Sequence, residues 1–205
     1  MSRPIALVRA GGWYHVTNRG VDRAPLFKEP HEAAAFVAAL GEIAARFAVE
    51  IHAYCAMGNH YHVLFRAQEE ELLRAIATLE AGLRSSVGRA RLRRMAVGRH
   101  LLEVTRYIHR NPVAAGLVRR PQDWAWSSYR GYLDGLDAPP WLRSDAVLGW
   151  LGSIGRRQLY RRFVEEVRQT SGRRASQRPA DNRESTIRRE IAAPPERPAR
   201  RKPRE

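Results

Sequence analysis

Two hydrophobic rhythms divide this chain into strands and helices. Val49, Ile51, Ala53 and Cys55 alternate with Glu50, His52 and Tyr54, the period of two that a half-buried strand imposes. A Gly58-Asn59 turn follows, and the apolar run from His60 to Phe65 then predicts the second arm of an antiparallel hairpin. Between 31 and 47, Phe36, Leu40, Ile43 and Phe47 recur at the spacing of a helix face, with alanines filling the surface. Leu72, Leu73, Ile76, Leu79 and Leu83 repeat that rhythm and predict a helix from 69 to about 87. A third helix is predicted over 100–110, halted at Asn111-Pro112 because proline disfavours helical geometry in the residue before it. Short strands are predicted at 4–8, 13–17 and 92–97. The resulting order is strand, helix, strand, strand, helix, strand, helix. It predicts an α+β fold, an antiparallel sheet covered by helices on one face.

Beyond this body, Pro121 to Tyr129 reads as an aromatic, turn-rich segment that packs rather than a platform for stacking bases. Residues 142–167 predict a small helical extension, with Gly155-Arg156-Arg157 between helices. After Arg168 apolar residues give way to Pro, Arg and Ser, the composition of a disordered tail. The expected organisation is one domain over 1–133, a helical extension over 134–167 and a basic tail over 168–205.

Charge narrows the partners. The chain has 205 residues, 44% of them hydrophobic, enough for one core with an appendage, and it carries a net charge of +15. Twelve basic and five acidic residues from Arg168 onward hold +7 of that charge, which leaves +8 on the body. Polyanions, nucleic acids foremost, are the expected partners. Cys55 is the single cysteine, so an intrachain disulfide and a cysteine-based zinc cluster are excluded. The N-terminus carries no long apolar run of the secretory kind, and no stretch approaches the apolar length of a membrane span. A cytoplasmic, nucleoid-associated protein is expected.

The chemistry begins at Met57-Gly58-Asn59-His60-Tyr61-His62. Side chains alternate faces along a strand, so His60, His62 and Leu64 point one way while Tyr61, Val63 and Phe65 point the other. Two imidazoles on one face can share a metal ion, although an isolated His-x-His is ordinarily a pair of polar residues satisfied by neighbouring groups. In the third helix Tyr107 and Asn111 are four residues apart and share a face. If that face looks onto His60 and His62, the site holds two nitrogen ligands, one amide oxygen and one hydroxyl nucleophile. A divalent ion there would polarise a phosphodiester. Tyr107 would attack phosphorus, its phenol, with an ordinary pKa of about 10, needing nearby cations to favour the phenolate. Arg106 and Arg110 flank it. The phosphotyrosine would conserve bond energy, so a DNA hydroxyl could reverse the attack without a nucleotide cofactor.

These residues resemble the REP-associated tyrosine transposases, a branch of the single-tyrosine HUH, IS200-like transposases. The resemblance rests on Trp13-Tyr14-His15-Val16-Thr17-Asn18-Arg19-Gly20 and on the block from His52 to His62. It continues in Arg106-Tyr107-Ile108-His109-Arg110-Asn111-Pro112 through Val118, and in Pro121 to Tyr129. It implies that His60 and His62 are metal ligands with Asn111 as the metal-side amide, that Tyr107 is the nucleophile, and that the ion is Mg2+ or Mn2+. It also implies a ferredoxin-like sheet and, as substrate, single-stranded DNA with hairpins. The chain departs from the family pattern between Leu83 and Val97, where the connection is shorter.

Three functions compete. The first is a DNA transesterase acting through phosphotyrosine. The second is a non-catalytic DNA-binding descendant using Arg19, Arg23, Arg66, Arg91, Arg93, Arg94 and the tail against phosphates. A zinc-binding structural protein comes last, since only two good nitrogen ligands are evident. A monomer and a homodimer are both compatible with the sequence, and no membrane is expected. His15, His52 and His109 read as core or surface histidines.

Overall fold

A computed structural model describes residues 11–83, 87–133 and 138–166. The strand expected at 4–8 and the tail from 168 lie outside the described residues. Strands β1 (Gly12–Arg19), β2 (Val49–Met57), β3 (His60–Ala67) and β4 (Arg91–Met95) form one sheet in the order β2-β3-β1-β4, with every pairing antiparallel. Helix α1 (Pro30–Arg46) joins β1 to β2, and α2 (Glu69–Ala81) joins β3 to β4. This is the ferredoxin-like connectivity. Helix α3 (Arg99–Ala114) follows β4, and α4 (Tyr129–Leu133), α5 (Asp145–Leu148) and α6 (Arg156–Glu165) come after it in the described residues.

Helix α1 starts at Pro30, behind a capping box formed by Glu29 and Glu32, and buries Ala33, Phe36, Leu40 and Ile43. Helix α2 buries Leu72, Ala75, Ile76 and Leu79 and ends at Gly82, short of the predicted 87. The Phe36 ring lies 4.9 Å from that of Tyr61. These two helices therefore cover the face bearing Tyr61, Val63 and Phe65. Helix α3 covers the other face, where the Tyr107 ring stands 5.4 Å from that of His62. The expectation of helices on one face alone is thus corrected. The reason is energetic: α3 carries its own buried stripe of Leu101, Leu102, Thr105 and Ile108, and both faces of β2 and β3 are apolar enough to receive a layer.

Two local departures from the sequence pattern shape the site. Ile51 pairs with Phe65 but Ala53 pairs with Leu64, so His52 is the extra residue of a β-bulge. The regular alternation expected over 49–55 is therefore broken, and Ala53, Cys55 and Met57 face α3 while Ile51 faces the other helices. Helix α3 also passes its predicted stop, running through Pro112 to Ala114. Proline forfeits one hydrogen bond in a final turn that closes with Ala115 N–H donating to the Asn111 carbonyl at 2.9 Å.

The sheet edges are managed by backbone pairing. Along the outer edge of β2, Ala56 N–H donates to the Trp126 carbonyl, Ser128 N–H to that of Tyr54 and Arg143 N–H to that of Ile51. The aromatic segment thus packs as a cover on an exposed strand, with Tyr129 fully buried. The short connection from α2 rejoins the sheet beside β1. Gly88 N–H donates to the Arg19 carbonyl at 2.8 Å, and the Asn18 amide donates to the Gly88 carbonyl at 2.8 Å. A side chain at Gly88 would sit 2.9 Å from that Arg19 carbonyl, so the close approach requires glycine.

Candidate active site

Strand register fixes the two histidines. Thr17 and Cys55 flank His62 across the sheet, and Arg19 and Met57 flank His60. The His60 and His62 rings are 5.1 Å apart and nearly perpendicular. Helix α3 crosses above them with Tyr107 and Asn111 one turn apart. The Asn111 amide is in hydrogen-bonding reach of the His60 imidazole and its NH2 also donates to the Tyr107 carbonyl at 3.4 Å. His62 is 6% exposed and Tyr107 is 55% exposed. The floor of the site is therefore buried and the phenol is open to solvent. His60, His62, Tyr107 and Asn111 are brought together.

Hydrogen bonds assign the imidazole tautomers. His60 Nδ1 is 2.8 Å from Asn59 Oδ1, an oxygen that can only accept, so Nδ1 carries the proton and Nε2 a lone pair. His62 Nδ1 is 3.0 Å from His15 Nε2, and His62 Nε2 is buried without a hydrogen-bond partner among the described residues. With the proton on His62 Nδ1, donated to His15, the orphaned Nε2 offers a second lone pair. The opposite tautomer would bury an unsatisfied N–H, at a cost of about 1–3 kcal/mol. His15 thus orients a candidate ligand from behind, the arrangement that fixes metal-bound histidines generally. Sequence reasoning placed His15 as a core or surface residue, because its proximity to His62 depends on β1 pairing with β3.

Electrostatics keep these rings neutral. Burial, followed by the charges of His15, His60 and Arg19, pushes His62 down to about 2. Burial and then Arg93 lower His15 to about 4. Burial and Arg19 also lower His60, while the Asn111 amide oxygen, which can accept from the protonated ring, acts in the raising direction. Neutral imidazoles are the form that ligates metal. Two nitrogen lone pairs with an adjacent amide oxygen suit an ion of intermediate hardness such as manganese. Among the described residues no group of three or more His, Cys, Asp or Glu side chains is placed to hold a metal. The groups placed to hold an ion here are the two imidazoles and the amide.

The arginines separate into three sets. Arg19, Arg91 and Arg93 lie on the same sheet face as the histidines, since Arg91 pairs with Thr17 and Arg93 with His15. All three are exposed, and Arg23 lies just beyond β1 in a tight turn. Arg94 pairs with Tyr14 and so faces the opposite side. Arg66 is on the site's face but six residues along β3 from His60, about 20 Å away, its guanidinium 5.6 Å from the Trp13 ring. Arg106 and Arg110, expected beside the tyrosine, turn to α6. Arg106 donates to the Glu166 carbonyl at 2.7 Å and packs 5.3 Å over Phe163, and Arg110 donates to the Val164 carbonyl at 2.6 Å. Helical geometry explains this: at about 3.6 residues per turn Arg106 and Arg110 lie about 100° and 60° to one side of Tyr107 and Asn111 about 40° to the other, so the two arginines share the flank that meets α6.

The back of α3 is clamped. His109 is fully buried, with Nε2 2.8 Å from Ser128 Oγ and Nδ1 2.8 Å from the Tyr160 hydroxyl. Burial pushes its imidazole down to about 3. Ser128 Oγ accepts from Tyr54 N–H at 2.9 Å and donates to the Tyr54 carbonyl at 3.2 Å. The neutral ring therefore donates from Nε2 and accepts at Nδ1. One continuous chain of bonds ties β2, the Ser128 segment, α3 and α6 together. Tyr107 is held from behind.

Comparison with known proteins bears on the fold. Residues 10–92 match the model of the family described as IS200-like transposases. A solved structure described as a REP-associated tyrosine transposase bound to a REP hairpin superposes with a TM-score of 0.50 and 20% sequence identity. That superposition covers 66% of this chain and 87% of the other. It shows a shared fold. No curated protein matches the chain.

Proposed function

We propose, on the match of residues 10–92 to the IS200-like transposase family model, that this protein cleaves and rejoins single-stranded DNA beside hairpins through a covalent bond to Tyr107. The observation that carries the reading is the convergence of an exposed phenol with two neutral imidazoles and one amide on a single sheet face. The Tyr107 oxygen attacks phosphorus, the phosphorus–oxygen bond to one nucleotide breaks, and that oxygen leaves to become a free hydroxyl. The phenolic proton passes to water. His60 Nε2, His62 Nε2 and Asn111 would hold Mg2+ or Mn2+, which when bound supplies polarisation of the phosphate and neutralises its charge. Asn59 and His15 keep the two rings aimed. Arg19, Arg91 and Arg93 receive the backbone phosphates on either side. The hairpin partner is supported by the neighbouring structure, which is bound to a REP hairpin.

Incubation of the full chain with labelled hairpin DNA and manganese, followed by denaturing electrophoresis, tests the proposal. A retarded covalent band that disappears with EDTA is expected. Salt-sensitive binding with no band at any manganese concentration would leave only a DNA-binding protein. Two further results are expected. His15→Ala shifts the manganese dependence of the band to about 10–100-fold higher concentration, with the plateau retained, because the ligand loses its orienting partner. Arg91→Glu and Arg93→Glu each weaken hairpin binding and lower the slope of log affinity against log salt by about one, measured by fluorescence anisotropy.

A further inference from the structure

Beside His60 a groove opens between the turn after β1 and the end of α3. Its floor is Met57 to His60, one wall holds Arg23, Pro25, Phe27 and Lys28, and the other holds Ala115 and Leu117. Both walls are tied to the active site. Leu26 and Phe27 N–H groups donate to the Gly58 carbonyl at 2.9 and 3.0 Å, and Gly20 N–H donates to the Asn59 carbonyl at 3.0 Å. The Asn59 side chain, whose oxygen accepts from His60, reaches the Arg23 carbonyl with its NH2 at 3.4 Å. The turn is strained: Asp22 and Arg23 hold φ of 52° and 62°, a left-handed conformation that L side chains adopt at some cost. On the far wall, Gly116 at φ 71° turns the chain so that Leu117 stands 50% exposed. An exposed apolar side chain, a strained turn and two cations therefore meet at the edge of the proposed catalytic centre.

We propose that this groove is a nucleotide subsite, taking the unpaired DNA nucleotide next to the phosphate that Tyr107 attacks. The inference rests on the transesterase reading above. The chemistry of the walls matches that occupant. Pro25 and Leu117 offer apolar surface for one base, and Arg23 and Lys28 offer charge for its phosphate. The groove starts at His60, so a strand seated there has its next phosphate over the metal-side ligands. Because Asn59 bonds both the Arg23 turn and His60, filling the groove also bears on the ligand's orientation.

The test uses full-length Tyr107→Phe protein and fluorescent hairpin DNA carrying an abasic nucleotide at each unpaired position in turn, read by anisotropy. One position is expected to lose about 10-fold in affinity, and in a Leu117→Asp background the same abasic change should cost nothing further. A flat abasic profile, or a Leu117→Asp protein with the same profile as its parent, overturns the subsite. Lys28→Glu repeats the coupling test at an exposed charge should Leu117→Asp lower the melting temperature. The covalent-band assay on unsubstituted protein separates the two readings. A band without base coupling removes the groove alone; coupling without a band removes the catalysis and keeps a nucleotide-binding groove.

Discussion

Tyr107→Phe is expected to abolish the covalent protein–DNA band while leaving hairpin affinity within about twofold, because phosphate contacts and not one hydroxyl dominate binding. The ring is 55% exposed and lies edge-on to His62, so phenylalanine fits the same place. Among the described residues the tyrosine hydroxyl forms no hydrogen bond that holds the fold, which makes the change chemically sharp and structurally mild. Loss of a nucleophile removes the pathway rather than slowing it, since the other hydroxyl on this face, that of Thr17 beside His62, is an aliphatic alcohol that ionises far less readily than a phenol. The decisive comparison is the band and the anisotropy titration on one preparation. An undiminished band in the variant would move the nucleophile elsewhere. Loss of the band together with loss of binding would mean that the substitution had disturbed the surface rather than the chemistry.

The halves of this site were legible in the sequence for different reasons. His60 and His62 follow from strand alternation and Tyr107 and Asn111 from helix periodicity, both local rules that need no knowledge of the fold. What local rules cannot supply is which strands pair. His15 and His62 are 47 positions apart in sequence and are joined at 3.0 Å only because β1 lies beside β3. The same holds for the arginines. Arg91, Arg93 and Arg94 look equivalent as a basic run, yet register sends the first two to the histidine face and the third to the other.

Two sequence rules were overridden by tertiary structure. Alternation over 49–55 broke at His52, whose Nδ1 is 2.7 Å from the Arg143 carbonyl and whose ring packs 4.2 Å from Trp13. The bulge lets one strand end with its apolar residues toward α1 and α2 and the other toward α3. Proline at 112 failed to stop α3 because the helix ends one turn later anyway, and Pro112 is buried there. Helical extension past Asn111 is useful geometry. It sets the amide inside a regular turn with Tyr107 and carries Leu117 to the groove.

His109→Ala is expected to destabilise the fold strongly. Removing the ring leaves a cavity and strips partners from two buried hydroxyls, Ser128 and Tyr160, which together should cost about 3 kcal/mol. For a chain of this size that corresponds to a melting temperature about 6–12 °C lower. Tyr160→Phe removes one hydroxyl and leaves His109 Nδ1 unpaired, at about 1–2 kcal/mol. The two substitutions touch the same bond, so their effects should fall short of additivity in a double-mutant cycle. Full additivity would show that the His109–Tyr160 contact contributes nothing. The functional arm separates clamping from mere folding. At a temperature where Tyr160→Phe protein is fully folded, hairpin affinity should be unchanged while the covalent band forms more slowly, because α6 acts on Tyr107 through α3 and not on the DNA. A band rate equal to that of the parent would reduce α6 to a stabilising appendage, with the tyrosine positioned by the sheet alone.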